Sequence, residues 1–291
     1  MDWSGDLSDM GKTDITVVEI SRFWKWINDR HMIYLNKEVE KLPFPWIDDP
    51  IFQEYKFTNA FRELDRGTLA LRNLLRYTNS AEDLAFNIIW YRSFNRYEHA
   101  KDIGVCWGPF RMDQLSYKLK RKDTRGHKIF TSAHMTVGKA GVRKIDYALE
   151  CIAKIDEGIR FIVDVCRLQK SLSSVFDIIK EYNFYGPFIA YEIVTDFRWY
   201  PQLLADADDI MTWANIGPGC ARGLRRLGLP VQLSSLEYLL AKAHHDKSVL
   251  GAHVPIDKIE MREIEHSLCE FDKYERVRTG VGQPRERYRV R

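Results

Sequence analysis

Two carboxylates four residues apart, Glu192 and Asp196 in "YEIVTD", open the chemical reading of this 291-residue chain. At i and i+4 they share one face of a helix. A buried pair can hold two different pKa values, so that one member stays a base at neutral pH. An interhelical salt bridge uses the same spacing, and both readings stand. Asp208 and Asp209 form a second acidic pair ahead of a glycine corner. That pair is read either as an exposed cap or, through Asp209, as a further catalytic carboxylate.

Cations with matching chemistry occur twice. In "FNIIWYRSFNRYEHA", Arg92 and Arg96 are at i and i+4 with Asn95 between them, and Tyr91 is a candidate pocket wall. In "FTNAFRELDRGT", Asn59, Arg62 and Arg66 follow an i, i+3, i+7 track that predicts one polar helix edge. Arginines in such positions clamp phosphate or pyrophosphate oxygens with paired N–H donors, or else close an ion-pair network. Further substrate-binding candidates are His134 and Lys139 in the polar loop "GHKIFTSAHMTVGKAG", and Glu270 and Lys273 in "EIEHSLCEFDKYERVR". A surface loop and a structural network account for the same letters.

The stretch "WANIGPGCARGLRRLG" is a candidate anion site of another kind. A glycine-proline-glycine corner opening a helix aims unpaired N–H groups outward, an arrangement suited to phosphate. Gly217 and Gly219, with Arg222, Arg225 and Arg226 behind them, are therefore candidates for a nucleic-acid backbone phosphate or the oxygens of a pyrophosphate, against the plain reading of a tight turn. Six arginines and one acid between residues 276 and 291 extend the basic character, with Arg285 and Arg287 as further candidates.

These residues need helices to position them, and the periodicity is helical. Val17, Ile20, Phe23, Trp24, Ile27 and Met32 fall at helical spacing in the first segment, and the proline-rich "LPFPWIDDP" ends it. "YKFTNAFRELDRGTLALRNLLRY" and "SAEDLAFNIIWYRSFNRYEHAKDIG" predict the next helices, the second with a capped start at Ser80 and Asp83. Later helices follow in "KIDYALECIAKIDEGIRFIVDVCRLQ", "SLSSVFDIIKEY", "GPFIAYEIVTDFRWY", "SSLEYLLAKAHHD" and "DKIEMREIEHSLCEFDKYERV". Strand-like alternation is scarce, so the predicted class is all-α. Residues 1–56 read as an N-terminal helical extension and residues 57–291 as the catalytic region. A weak division near Arg143 would give two intertwined helical halves around a cleft.

Five widely spaced cysteines suit a reducing compartment, and no zinc-ligand spacing occurs, so no metal or cofactor is required by the sequence. Mg²⁺ accompanying a pyrophosphate would leave no sequence trace. Neither a signal peptide nor a run of twenty apolar residues is present, which predicts a cytoplasmic protein with no membrane partner. The net charge of +3 says little about nucleic acid until its distribution is considered.

In order along the chain, "FTNAFRELDRGT", "FNIIWYRSFNRYE", "IFTSAHMTVGKAG", "FYGPFIAYEIVTDFRW", "WANIGPGCARGL" and "EIEHSLCEFDKYERVR" resemble the α-glutamyl/putrescinyl thymine pyrophosphorylase family. Its members are phage amine-to-DNA transferases with a helical fold related to the helix-hairpin-helix DNA glycosylases. The resemblance implies double-stranded DNA carrying pyrophosphorylated 5-hydroxymethyluracil as one substrate and a free amine or amino acid as the other, with pyrophosphate released. It further implies an infected bacterial cell as the setting and other phage DNA-modification enzymes as associates. Arg92, Arg96 and Arg222 would clamp the leaving group, and Glu192 or Asp196 would take the amine proton. A glycosylase would place a lysine or aspartate after the glycine corner. Here Cys220 follows Gly219, and "CARGLRRLGLPVQL" holds neither residue, so base excision is the rival reading, with Asp209 as its carboxylate. A non-enzymatic DNA-binding protein is the third reading.

Overall fold

The computed structural model describes residues 13–131, 138–284 and 286–288. His134 and Arg285 lie outside the described residues. The described chain is all-helical. In order come α1 (Thr13–Tyr34), α2 (Pro50–Glu54), α3 (Arg66–Leu75), α4 (Ala81–Phe94), α5 (Glu98–Asp102) and α6 (Arg111–Thr124). There follow α7 (Lys144–Glu157), α8 (Ile159–Gln169), α9 (Leu172–Ile179) and α10 (Pro187–Phe197). The last three are α11 (Pro218–Arg226), α12 (Leu233–His245) and α13 (Met261–Arg278). A single antiparallel bridge, Tyr55 with Arg287, is the one extended pairing among the described residues. None of the described helices is long and apolar enough to cross a membrane.

Contacts divide the chain into two compact units. One joins Met1–Phe61 to Ile216–Arg291, and the other is the continuous stretch Arg62–Asn215. Residues 13–56 thus share a unit with the C-terminal helices, and Arg143 falls inside the continuous unit.

In the discontinuous unit α13 is the central helix, packed by α1, α2, α11 and α12. Glu260 and Glu263 form a reciprocal capping box at its start. Ile20, Phe23, Trp24 and Ile27 of α1 are buried as their spacing predicts, and the Phe23 ring meets Phe271 edge-on at 5.5 Å. Val17, expected in the core, is 63% exposed. Trp26, Phe52, Phe57 and Tyr274 form a second aromatic cluster.

In the continuous unit α4 holds the central place, with α3, α7, α8 and α10 around it. Ser80 caps α4 by accepting from the Asp83 N–H at 3.2 Å. Every residue of α4 from Leu84 to Phe94 is buried, so the helix is packed on all sides, with Asn87, Arg92 and Ser93 as polar members that bond within the protein.

Two expected helices are shorter than the periodicity predicts. Residues 57–61 are not helical, Arg62–Leu64 is a 3-10 turn and α3 begins only at Arg66, because Asp65 takes an extended N-cap conformation. Asn59, Arg62 and Arg66 therefore do not share a helix edge. Helix α4 stops at Phe94 because Asn95 adopts the left-handed conformation (φ 47°) as its C-cap. Arg92 and Arg96 consequently do not lie one turn apart on one helix.

Candidate functional site

Three elements of the continuous unit bring four charged side chains together: the turn at Arg62, the last turn of α4 with Arg92, and the face of α10 that carries Glu192 and Asp196. Helix α10 starts at Pro187 behind Gly186 and is buried from Ile189 to Phe197. Charges on such a helix must find partners within the protein, because an unpaired buried charge is far costlier than a paired one.

The pairing is nearly complete. Arg62 donates through Nη1 to Glu192 Oε1 at 2.8 Å and through Nη2 to Oε2 at 2.5 Å, a two-pronged grip. Arg92 holds Asp196 in the same way, through Nε to Oδ2 and through Nη2 to Oδ1 at 3.0 Å. Diagonal distances are 3.6 Å from Arg92 Nη1 to Glu192 Oε2 and 3.8 Å from Arg62 Nε to Asp196 Oδ1. Arg92 also donates to Asn95 Oδ1 at 2.9 Å and to Thr68 Oγ1 at 3.1 Å. The result is a quartet of alternating charge. Burial alone would lower the pKa of either arginine; the facing carboxylates outweigh it, so both guanidinium groups stand above their ordinary value. The Asp196 side chain is fully buried, and that of Glu192, at 12% exposed, is the most open of the four.

This geometry has a chemical consequence. An anion could be gripped by Arg62 or Arg92 only if a carboxylate lets go, and Glu192 could accept a proton only by loosening Arg62. Glu192, as the most exposed of the four, is where such an exchange would start. Tyr91 beside it donates its hydroxyl to the Gly67 carbonyl at 2.9 Å, and burial pushes its pKa up, so it is held as a neutral donor.

Other expected residues lie apart from the quartet's bonding. Arg96 pairs with Glu98 at 3.2 Å, and Arg66 stacks over the Tyr97 ring at 3.5 Å. Asp209 accepts from the N–H groups of Leu172 and Ser173 and from the Ser171 hydroxyl, which makes it a capping group for α9 rather than an open base. Lys139 is exposed.

The discontinuous unit holds its own polar groups. Thr58 donates its N–H to Glu270 at 3.2 Å, its hydroxyl lies 2.6 Å from His266 Nε2, and Lys273 grips Glu270. Burial raises the Glu270 pKa, but Lys273, His266 and the Thr58 N–H together bring it below its ordinary value. Asn59 follows Thr58 in this segment.

The glycine corner has a packing role. A Cβ on Gly219 would stand 2.2 Å from Cys269 Sγ, and one on Gly223 would stand 2.5 Å from the Leu268 carbonyl oxygen. The two glycines, one turn apart, let the α11 backbone lie directly on α13. Gly217 is the N-cap, so the helix start has no capping side chain of its own. Arg222 and Arg226 bond to the buried Asp272 at 2.7 and 2.8 Å, while Arg225 points to solvent with no ion pair among the described residues. Arg287, expected on DNA, pairs with Glu54 at 2.9 Å and lies over the Tyr55 ring, where backbone bonds between residues 54–56 and 286–288 tie the tail down.

Thr68 is a polar residue that sequence reasoning passed over, and the arginine partners of Asp272 were not foreseen. Thr68 follows Gly67 in an already quoted motif, but nothing local ties it to Arg92. Asp272, i−4 from Arg276, carried a helix-spacing signal toward one of its three arginines.

Comparison with known proteins adds what geometry cannot. The family described as "5-hmdU DNA kinase, helical domain" matches residues 18–283. The chain belongs to this helical-domain family. A curated relative, the 5-hmdU DNA kinase of Bacillus phage SP10, is 25% identical over 278 residues, covering 84% of this chain and 43% of that protein. The chain thus spans less than half the length of that relative. No solved structure matches it. Membership supports the resemblance as far as this helical-domain family, and the particular pyrophosphorylase member belongs to the proposal below.

Proposed function

We propose that this helical domain acts in the modification of 5-hydroxymethyluracil in DNA, and that its own step is the transfer of an amine or amino acid onto the pyrophosphorylated base. The observation that carries the reading is the buried Arg62–Glu192–Asp196–Arg92 quartet, a set of cations and carboxylates with Glu192 as its most exposed member, in a family named for a kinase of 5-hydroxymethyldeoxyuridine DNA. The family name, that of a kinase, supports a role beside a phosphorylation step. The 291 residues contain no G-x-x-x-x-G-K-[ST] run to cradle ATP phosphates, which favours a separate task for them.

In the proposed step the exocyclic methylene loses its bond to a pyrophosphate oxygen, whose electron pair leaves with pyrophosphate, and gains a bond to the amine nitrogen. The amine's proton passes to a carboxylate. Arg62 and Arg92, released in part from their carboxylates, would meet the leaving oxygens, and Glu192, freed by the same exchange, would take the proton. Asn95 positions Arg92. Any Mg²⁺ would arrive with the pyrophosphate as part of the substrate. The glycosylase-like scaffold, which would present a flipped base, belongs to the same proposal, as do backbone contacts from Arg225 and the α11 N-terminus.

One observation favours a second reading. Every charge of the quartet already has a partner, which suits a non-enzymatic module that binds modified DNA and presents it to another active site. Incubation with DNA containing the pyrophosphorylated base and a pool of amines, followed by nucleoside mass analysis, separates the readings. An amine adduct with released pyrophosphate supports transfer, an abasic site supports the glycosylase, and tight binding with unchanged nucleosides leaves the presenting module.

A further inference from the structure

Helix α6 carries a surface that the reading above does not use. Between residues 111 and 128 stand seven Lys or Arg and two Asp. The apolar side of α6 is already consumed, since Leu115 and Leu119 are fully buried within its own unit. Three of the basic residues are also committed inward or sideways: Arg111 to Asp83 and Asp156, Lys118 to the Ile103 carbonyl, and Lys122 to Asp102.

The outward stripe is different. Phe110, Tyr117, Arg121 and Arg125 follow one another at helical spacings of seven, four and four residues, with Lys120 beside them. Phe110 is 67% exposed, Tyr117 66% and the nearby Trp107 60%. Arg121 and Arg125 are exposed and form no ion pair among the described residues, and Lys120 touches Asp146 only at 3.6 Å between two solvated side chains. An Arg143–Asp123 ion pair holds the start of α7 against the end of α6 and adds Lys144 to the basic end. The stripe is thus aromatic at its first half and cationic at its second, over about 22 Å of helix.

We propose that this stripe binds a DNA strand with unpaired bases, Lys120, Arg121 and Arg125 meeting phosphates while Tyr117, Phe110 and Trp107 stack on base faces. The chemistry selects this occupant over two others. Duplex DNA would satisfy the cations but leave three large exposed rings nothing to stack on, whereas every unpaired base offers a face. An anionic membrane surface calls for a free apolar helix face flanked by cations, and the apolar face of α6 is buried. One carboxylate, Asp113, sits in the stripe between Phe110 and Tyr117 and opposes a polyanion there. Naming the polyanion as DNA rests on the proposed role in DNA modification; the surface itself does not depend on the reaction.

The test measures binding of a labelled, unmodified oligothymidylate, a duplex of equal length and vesicles containing anionic lipid, each at several salt concentrations. All substitutions fall on exposed side chains, and thermal melts confirm folding. The wild-type protein should bind the single strand at least about ten-fold tighter than the duplex. The pair Phe110→Ala with Tyr117→Ala should weaken it by about ten-fold or more at unchanged salt slope. Arg121→Glu with Arg125→Glu should lower the slope by about 0.7 for each lost phosphate contact. Asp113→Asn should tighten binding, and Leu168→Ala, an exposed change on α8, should leave it unaltered. Wild-type affinity in both double variants, equal binding of duplex, or binding of vesicles alone would overturn the proposal. Amine transfer is scored separately on pyrophosphorylated DNA: its absence beside α6-dependent strand binding sinks the reaction and leaves the surface standing.

Discussion

Replacing Asp196 by Asn tests whether the buried quartet carries the fold of its unit as well as its chemistry. The Asp196 side chain has no exposure and accepts two bonds from Arg92, while Arg62 Nε stands 3.8 Å away. Asn keeps the volume and one acceptor. It turns an NH₂ group toward a guanidinium that has nothing to accept it, and it removes the charge that offsets the burial of Arg92. Breaking a buried pair by neutralising one member costs about 3–5 kcal/mol, and a domain of this kind has about 5–15 kcal/mol in total. At roughly 2–4 °C per kcal/mol, Tm should fall by about 6–20 °C. The double change Arg92→Met with Asp196→Leu removes both charges at similar volume and should recover most of that loss, since well-packed apolar replacements of a buried pair are commonly neutral or better. Thermal and urea melts give the stabilities, and the nucleoside assay run well below Tm gives activity. The double variant should be stable and inactive. An Asp196→Asn protein melting within about 2 °C of wild type would refute the argument, because a fully buried charge-pair member cannot be neutralised silently if its geometry is as described.

Gly223→Ala sets two effects against each other: a helix-propensity gain of about 1 kcal/mol and a Cβ 2.5 Å from the Leu268 carbonyl oxygen, where backbone cannot give way. The clash should win by about 1–3 kcal/mol in urea melts; a neutral or stabilised variant would show that α11 does not rest on α13 as described. For Asp272, burial raises the pKa but hydrogen bonds and charge from Arg222 and Arg226 more than reverse it. Its stabilising contribution is therefore complete above the ordinary carboxylate range and is lost as pH falls through the lowered value. Asp272→Asn should flatten the acid side of a stability–pH curve, and an unchanged curve would contradict this. Burial pushes the thiols of Cys166 and Cys269 up to about 12 and that of Cys106 up to about 11. A thiol-specific disulfide reagent at pH 8 should leave these three unreacted until denaturant is added, and their rapid modification in the folded protein would be the contrary result.

Helices whose apolar residues recur on one face were legible from sequence, as Ile20, Phe23, Trp24 and Ile27 show, and the i, i+4 spacing placed Glu192 with Asp196 on α10. Ends of helices were less so. Asn95 is left-handed without being glycine, and Asp65 stops a helix inside a strongly helical pattern; both depend on what the surrounding fold requires. Partner choice was the hardest part. Arg62 meets Glu192 across 130 residues of sequence, and no local pattern distinguishes that pairing from Arg62 reaching a phosphate. The glycine corner shows the same limit, since a phosphate-binding turn and a close helix crossing use the same small residues, and only the position of Leu268 and Cys269 reveals the crossing.

The split of one unit across the chain has a consequence for synthesis. Phe23 and the cluster of Trp26, Phe52 and Phe57 are made early, but Phe271 and Tyr274, which close over them, come from α13 near the other end. While the ribosome makes the intervening 62–215 stretch, an interval on the order of ten seconds at bacterial or slower rates, α1 waits with its aromatic face uncovered. The continuous unit has all its core residues in hand by then and can close first. During synthesis there is therefore a period in which the 62–215 unit can close while the aromatic face of α1 still lacks Phe271 and Tyr274, and that face is the natural target of a chaperone.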